Sequence, residues 1–159
     1  ENVCGALIGQ EDVAYVPGRN YTGVSFGGPP VQPQAVDHFG EVQAWNVDTG
    51  QKAWTHKFEK SPNWGAMLAT AGGLVISGGT NDRKVRAFDA KDGKVLWEFP
   101  TSSGVEAPVT TFLVDGKQYL AVLSGWGGDA NGMNGTIART ISGVRSVPEG
   151  GSVWVFALE

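Results

Sequence analysis

Two matching segments 43 residues apart constrain this chain more than any other feature of its sequence. The first runs Ala44-Trp45-Asn46 through Gly50 to Trp54, and the second runs Ala87-Phe88-Asp89 through Gly93 to Trp97. Both read Ala, aromatic, Asn or Asp, three residues, Gly, three residues, Trp. Val42 and Ala44, like Val85 and Ala87, alternate with less apolar neighbours, the period of a half-buried strand. Asp48-Thr49-Gly50 and Lys91-Asp92-Gly93 are turn signals, with a glycine free to adopt positive φ. Lys52-Ala53-Trp54 and Val95-Leu96-Trp97 then begin a return strand. Each segment is therefore a β-hairpin ending in a large indole. A repeat of about 40–50 residues is the spacing of propeller blades.

Further strands are expected at 12–17 and 73–78, ahead of the two hairpins. A third unit opens with a strand at 118–125 and resumes at 151–158 after an insertion rich in Gly, Asn and Ser, about 126–149. A similar insertion, about 19–39, interrupts the first unit. No segment carries a convincing helical pattern. The reading is an all-β chain of about three blade-like units, over 12–57, 73–100 and 118–158. Composition agrees: 24 of 159 residues are glycine, about twice the usual ~7%, and short strands with many turns need them. Six Trp and seven Phe argue against disorder. Propellers need about 4–8 blades to close, so three leave apolar faces and strand edges uncovered. The remaining blades are expected from a separate chain or a missing N-terminal portion, the alternative being several copies combined.

Other classes are excluded by simple counts. No run of about 18 apolar residues is present to span a membrane. A net charge of −4 gives no electrostatic reason to expect nucleic acid. Cys4 is the lone cysteine, which precludes an intrachain disulfide; it is read as a small buried apolar residue. The opening residues, 1–5, have neither a basic start nor an apolar run, as in a mature or cut product. His38 and His56 fit no metal spacing. Asn20-Tyr21-Thr22 and Asn134-Gly135-Thr136 match the glycosylation sequon, a cheap pattern.

The repeats resemble those of pyrroloquinoline-quinone (PQQ) dependent alcohol dehydrogenases, quinoproteins built on an eight-bladed propeller. The stretch Trp64-Gly65-Ala66-Met67-Leu68-Ala69-Thr70-Ala71-Gly72-Gly73-Leu74-Val75 is similar to that family's W-(G/A)-G-x-L-A-T-A-G-x-L-V segment. Gly116-Lys117-Gln118-Tyr119 through Trp126-Gly127-Gly128 is similar to its G-K-Q-Y-x-A-V-x-x-G-x-G-G segment, and 150–156 fits its C-terminal ending. The resemblance covers essentially the whole chain and implies the C-terminal third of such an enzyme. It implies hydride transfer from an alcohol to PQQ, in the periplasm, with electrons leaving to a cytochrome or other acceptor. Trp64 is expected at the edge of the PQQ site, where an indole offers both a flat face and an N–H donor. Gly128 and Asp129 are expected to contact the cofactor from a glycine turn; family members carry Ala or a large aromatic at the place of Asp129. Asn2 is expected to reach the quinone, though its neighbour is Val3 where the family has Trp. Trp126 either walls the substrate entrance or packs. Trp54 and Trp97 are expected to pack one blade on the next. The catalytic base and the ligands of Ca2+ or a lanthanide belong to earlier blades in the family. None maps onto this chain, which alone is expected to be inactive. The alternative is a W-motif propeller acting as a non-catalytic scaffold in outer-membrane protein assembly.

Overall fold

The computed structural model describes residues 7–9, 14–18, 21, 23–26, 37–127, 130–144 and 146–157. Each tryptophan segment folds as the sequence dictates, into an antiparallel hairpin: β3 (Gly40–Asn46) with β4 (Gln51–Phe58), and β7 (Lys84–Asp89) with β8 (Val95–Pro100). The motif's polar third position explains the turn. Asn46 Oδ1 accepts from the backbone N–H of Asp48 at 2.9 Å and of Thr49 at 3.0 Å, and Asp89 Oδ1 accepts from Lys91 N at 2.8 Å. These side chains hold the turn open for the glycine, Gly50 or Gly93, which takes positive φ. Both hairpins then carry a register shift at the same place, between Ala44 and Trp45 and between Ala87 and Phe88. The bulge skips one residue on the return strand, so that Ala44 pairs with Trp54 and Ala87 with Trp97.

Around the hairpins lie β1 (Leu7–Gly9) and β2 (Val24–Phe26), paired with each other, then β5 (Met67–Ala69), β6 (Leu74–Ser77), β9 (Thr110–Val114), β10 (Lys117–Gly125) and β11 (Gly151–Ala157). The sheets are β3-β4, the four-stranded meander β5-β6-β7-β8, and the three-stranded β9-β10-β11, all antiparallel. Three of these strands, β1, β5 and β9, lie outside the ranges 12–57, 73–100 and 118–158 expected from the repeat. The described part of 12–17 carries no strand. The insertion at 126–149, read as free of helix, contains one: α1 (Ala130–Thr140). Its sequence is poor in helix formers, with Gly132, Gly135 and two asparagines. Met133, Ile137 and Ile141 nonetheless fall on one stripe, and burial of that stripe outweighs propensity. No helix among the described residues is long and apolar enough to cross a membrane.

The sheets stack face on face. Val42 and Trp54 of the first hairpin pack on Phe88 of the meander. The opposite face of the meander, with Ile76, Val85 and Ala87, packs on Leu120 and Val122 of the three-stranded sheet. Thus β7 is buried on both sides, as in a strand of a central layer. Trp54 is the hinge pin of the first contact. Its ring lies over Gly93, where a Cβ would collide with it, and its Nε1 donates to Ala90 O at 2.9 Å. The first motif's indole therefore docks on the second motif's turn. Trp97, its counterpart, is 37% exposed and packs edge-on against Phe156. Arg86 shares the Phe88 face and is buried with its charge answered: Asp82 and Glu98 pair with it, Thr80 Oγ1 accepts a hydrogen bond, and Phe58 presents its ring at 5.3 Å. The architecture is a partial β-propeller.

Candidate functional site

In an antiparallel meander, alternate connections fall at the same end. The turns of β3-β4, β5-β6, β7-β8 and β9-β10 lie at one end of the stack. The connections β4 to β5, β6 to β7, β8 to β9 and β10 to β11 lie at the other. Trp64 sits in the first of these latter connections and Trp126 opens the last, so topology delivers both to one end. Their ring centroids are 5.7 Å apart, with the planes tilted by 42°. Trp64 N donates to Gly79 O at 3.1 Å, which ties the Trp64 segment to the β6–β7 connection.

The two indoles differ in setting. Trp64 is half-buried, whereas Trp126 is 2% exposed. Trp126 packs beneath α1 against Ile137 and Ile141, with Phe39 and Val147 alongside. Its other face lies on Gly104, where any side chain would overlap the indole. The segment carrying Gly104 is tied down by small hydroxyls. Ser103 N donates to Ser124 Oγ at 2.9 Å, Ser103 Oγ donates to Pro148 O at 2.6 Å, and Gly125 N donates to Gly104 O at 2.7 Å. The Trp126 ring is thus held between α1 and the Gly104 segment. Asn2, Gly128 and Asp129 lie outside the described residues. Gly127, just before them, has φ of 71°.

Three buried polar atoms at this end have no hydrogen-bond partner among the described residues: Trp126 Nε1, Asn63 Oδ1 and, farther along in the β6–β7 connection, Asn81 Oδ1. Buried polar groups are almost always paired. An orphan donor and an orphan acceptor beside a half-buried indole therefore fit a wall that meets a flat, polar, aromatic ligand such as PQQ. Asn63 was not singled out by the sequence, because its type and spacing carry no signal; only its burial does.

The rim of this end is charged. His38 Nδ1 lies 2.5 Å from Asp37 Oδ1, and Lys57 Nζ donates to Asp37 Oδ2 at 2.9 Å. These contacts hold the Asp37 carboxyl down at about 2, below its ordinary 3.8, with the His38 contact foremost. For Asp82, burial pushes upward, but hydrogen bonds from Arg86 and Thr80 outweigh it and the carboxyl is lowered. The sequon at Asn134 is engaged on both sides. Asn134 Nδ2 donates to Val147 O and its Oδ1 accepts from Val147 N, each at 2.9 Å.

The stacked antiparallel sheets and the docked tryptophans define a protein of the β-propeller class. The model of the family "Glucose/ethanol/alcohol dehydrogenase, beta-propeller domain" matches residues 59–120. A quinoprotein ethanol dehydrogenase of Pseudomonas aeruginosa is 43% identical over 148 residues, covering 93% of this chain and 22% of that protein. Quinoprotein alcohol dehydrogenase PedH of Pseudomonas putida is 37% identical over 157 residues, covering 99% of this chain and 25% of that protein. Among solved structures, a europium-containing methanol dehydrogenase superposes with a TM-score of 0.76 at 31% identity, over 99% of this chain and 30% of that one. The chain belongs to the family of PQQ-dependent quinoprotein alcohol dehydrogenases, and it spans about a quarter of the length of the curated relatives it matches.

Proposed function

We propose that this chain supplies one wall of the cofactor site in a periplasmic quinoprotein that oxidises alcohols. The observation that carries the reading is the half-buried Trp64 indole, held beside Trp126 at the connection end of the stack. Trp64 would give the cofactor a flat apolar support and an indole N–H donor. Trp126 Nε1 and Asn63 Oδ1 would each gain the partner they lack among the described residues. Gly128, Asp129 and Asn2 are proposed as further cofactor contacts, and Trp126 backs the substrate pocket from beneath α1. PQQ, when bound, supplies the redox chemistry, while the protein supplies position and electrostatics. The catalytic base and the ligands for Ca2+ or a lanthanide are assigned to a larger N-terminal portion of the same enzyme. A cytochrome or other acceptor would take the electrons. The relatives named above are called ethanol, alcohol and methanol dehydrogenases, which supports the substrate class.

The test is PQQ titration of the metal-loaded, cofactor-free enzyme with Trp64 variants, unfolding being followed in parallel. Losing the aromatic contact costs about 0.5–1.5 kcal/mol, and an unmade bond to a charged group about 1.5–3 kcal/mol. Together they weaken binding by roughly 30- to 2000-fold in Trp64→Ala. Trp64→Phe keeps the stacking part and falls between wild type and Trp64→Ala. Wild-type PQQ affinity in Trp64→Ala would make Trp64 a packing residue only.

A further inference from the structure

The three-stranded sheet is apolar on both faces, but the described residues cover only one. Leu120 and Val122 face the meander and are buried. Pairing places Leu123 opposite Val153 and Ala121 opposite Val155 on the other face. There Leu123 is 49% exposed, Val155 55% and Val153 66%. Phe112 stacks on Tyr119 on the same face, with ring centroids 5.4 Å apart. At the connection end of this face sits Glu106, half-buried, lining a cavity of about 330 Å3 together with Leu123, Gly125 and Gly127. Its carboxylate rests against Gly127, in space that any larger residue at 127 would fill. Among the described residues, Glu106 makes no hydrogen bond or ion pair.

The covered seam on the other side of the meander shows how this chain handles a charge between sheets. Arg86 is buried there, and two carboxylates answer it. A charge buried without a partner is costly, and Glu106 stands where a covering layer would bury it. In a larger propeller the outer face of β9-β10-β11 meets the next sheet, and we propose that this sheet carries a cationic side chain, Arg or Lys, paired with Glu106. The occupant comes from the rest of the enzyme, since the chain spans about a quarter of its relatives' length. The proposal rests on the reading of this chain as part of a larger propeller.

The experiment uses the full-length enzyme and two variants. Val153→Asp probes the cover, and Glu106→Gln probes the pair. Both are read by thermal unfolding and by hydrogen exchange in β11. The expected result is a lower midpoint and faster β11 exchange in both variants. The wild-type enzyme gives an independent reading: carbodiimide-driven amidation should spare Glu106 while modifying the exposed Asp48. If Val153→Asp destabilises while Glu106→Gln matches wild type and Glu106 amidates readily, the face is covered but the ion pair is wrong. If both variants match wild type and β11 exchanges freely, the face is uncovered and the larger-propeller reading fails with it.

Discussion

Trp54 contributes twice, through a buried ring and through the Nε1 bond to Ala90 O, and the two parts separate by mutation. Trp54→Ala in the full-length protein is expected to cost about 3–5 kcal/mol, the range for a buried aromatic. Trp54→Phe keeps most of the ring and gives up the hydrogen bond, a loss of about 0.5–1.5 kcal/mol. Denaturant midpoints at fixed slope measure both, and equal losses would show that the N–H bond contributes nothing. His56 makes a second prediction at this scale. Its ring sits edge-on to Phe58 and Phe88, each with centroids 5.0 Å away. Burial lowers its pKa from the ordinary 6.5, and the Arg86 charge adds to the effect. The unfolded chain therefore takes up a proton at His56 before the folded chain does. Stability should fall as pH drops below 6.5, down to the lowered folded value, and be fully present above it. His56→Gln should remove that part of the slope in urea midpoints measured against pH; an unchanged slope assigns it elsewhere.

At the scale of elements, what could be read from sequence was what local chemistry decides. The two hairpins were legible because Asn46, Asp89, Gly50 and Gly93 fix their turns within a few residues. β10 and β11 were legible from uninterrupted apolar runs. The three-residue β5 was not, because it exists through pairing with β6 and has no pattern of its own. α1 was missed because its glycines and asparagines conceal the apolar stripe that Trp126 and Phe39 stabilise from outside. The site divides in the same way. Trp64 was singled out through its family-specific segment, whereas Asn63 and the Gly104 seat of Trp126 depend on contacts remote in sequence. That seat is testable. Gly104→Ala places a Cβ inside the Trp126 ring, so the indole must shift and the near-ultraviolet circular dichroism should change while the strand signal persists. Asn134 clamps α1 to the return segment through both of its amide atoms. Asn134→Ala leaves the Val147 N–H and C=O without these partners, at about 1–3 kcal/mol. The expected readout is faster exchange at 146–148, and unchanged exchange would show that water replaces the clamp.

Over the whole molecule, order follows from stacking. Each sheet covers its neighbour through a separate apolar layer, and the Trp54 dock joins two of them in fixed register. Among the described residues the meander alone has both faces filled, with Val85 and Ala87 on one side and Phe88 on the other. Such an arrangement behaves as a one-dimensional array, in which local stability grows with the number of interfaces a layer owns. The both-sided burial of β7 thus has a kinetic meaning. Within this part of the enzyme, the amides of β6 and β7 should be the last to exchange with solvent, opening only in the deepest unfolding event. The flanking β3-β4 hairpin should open at lower free energy, and its opening should leave the β7 amides closed.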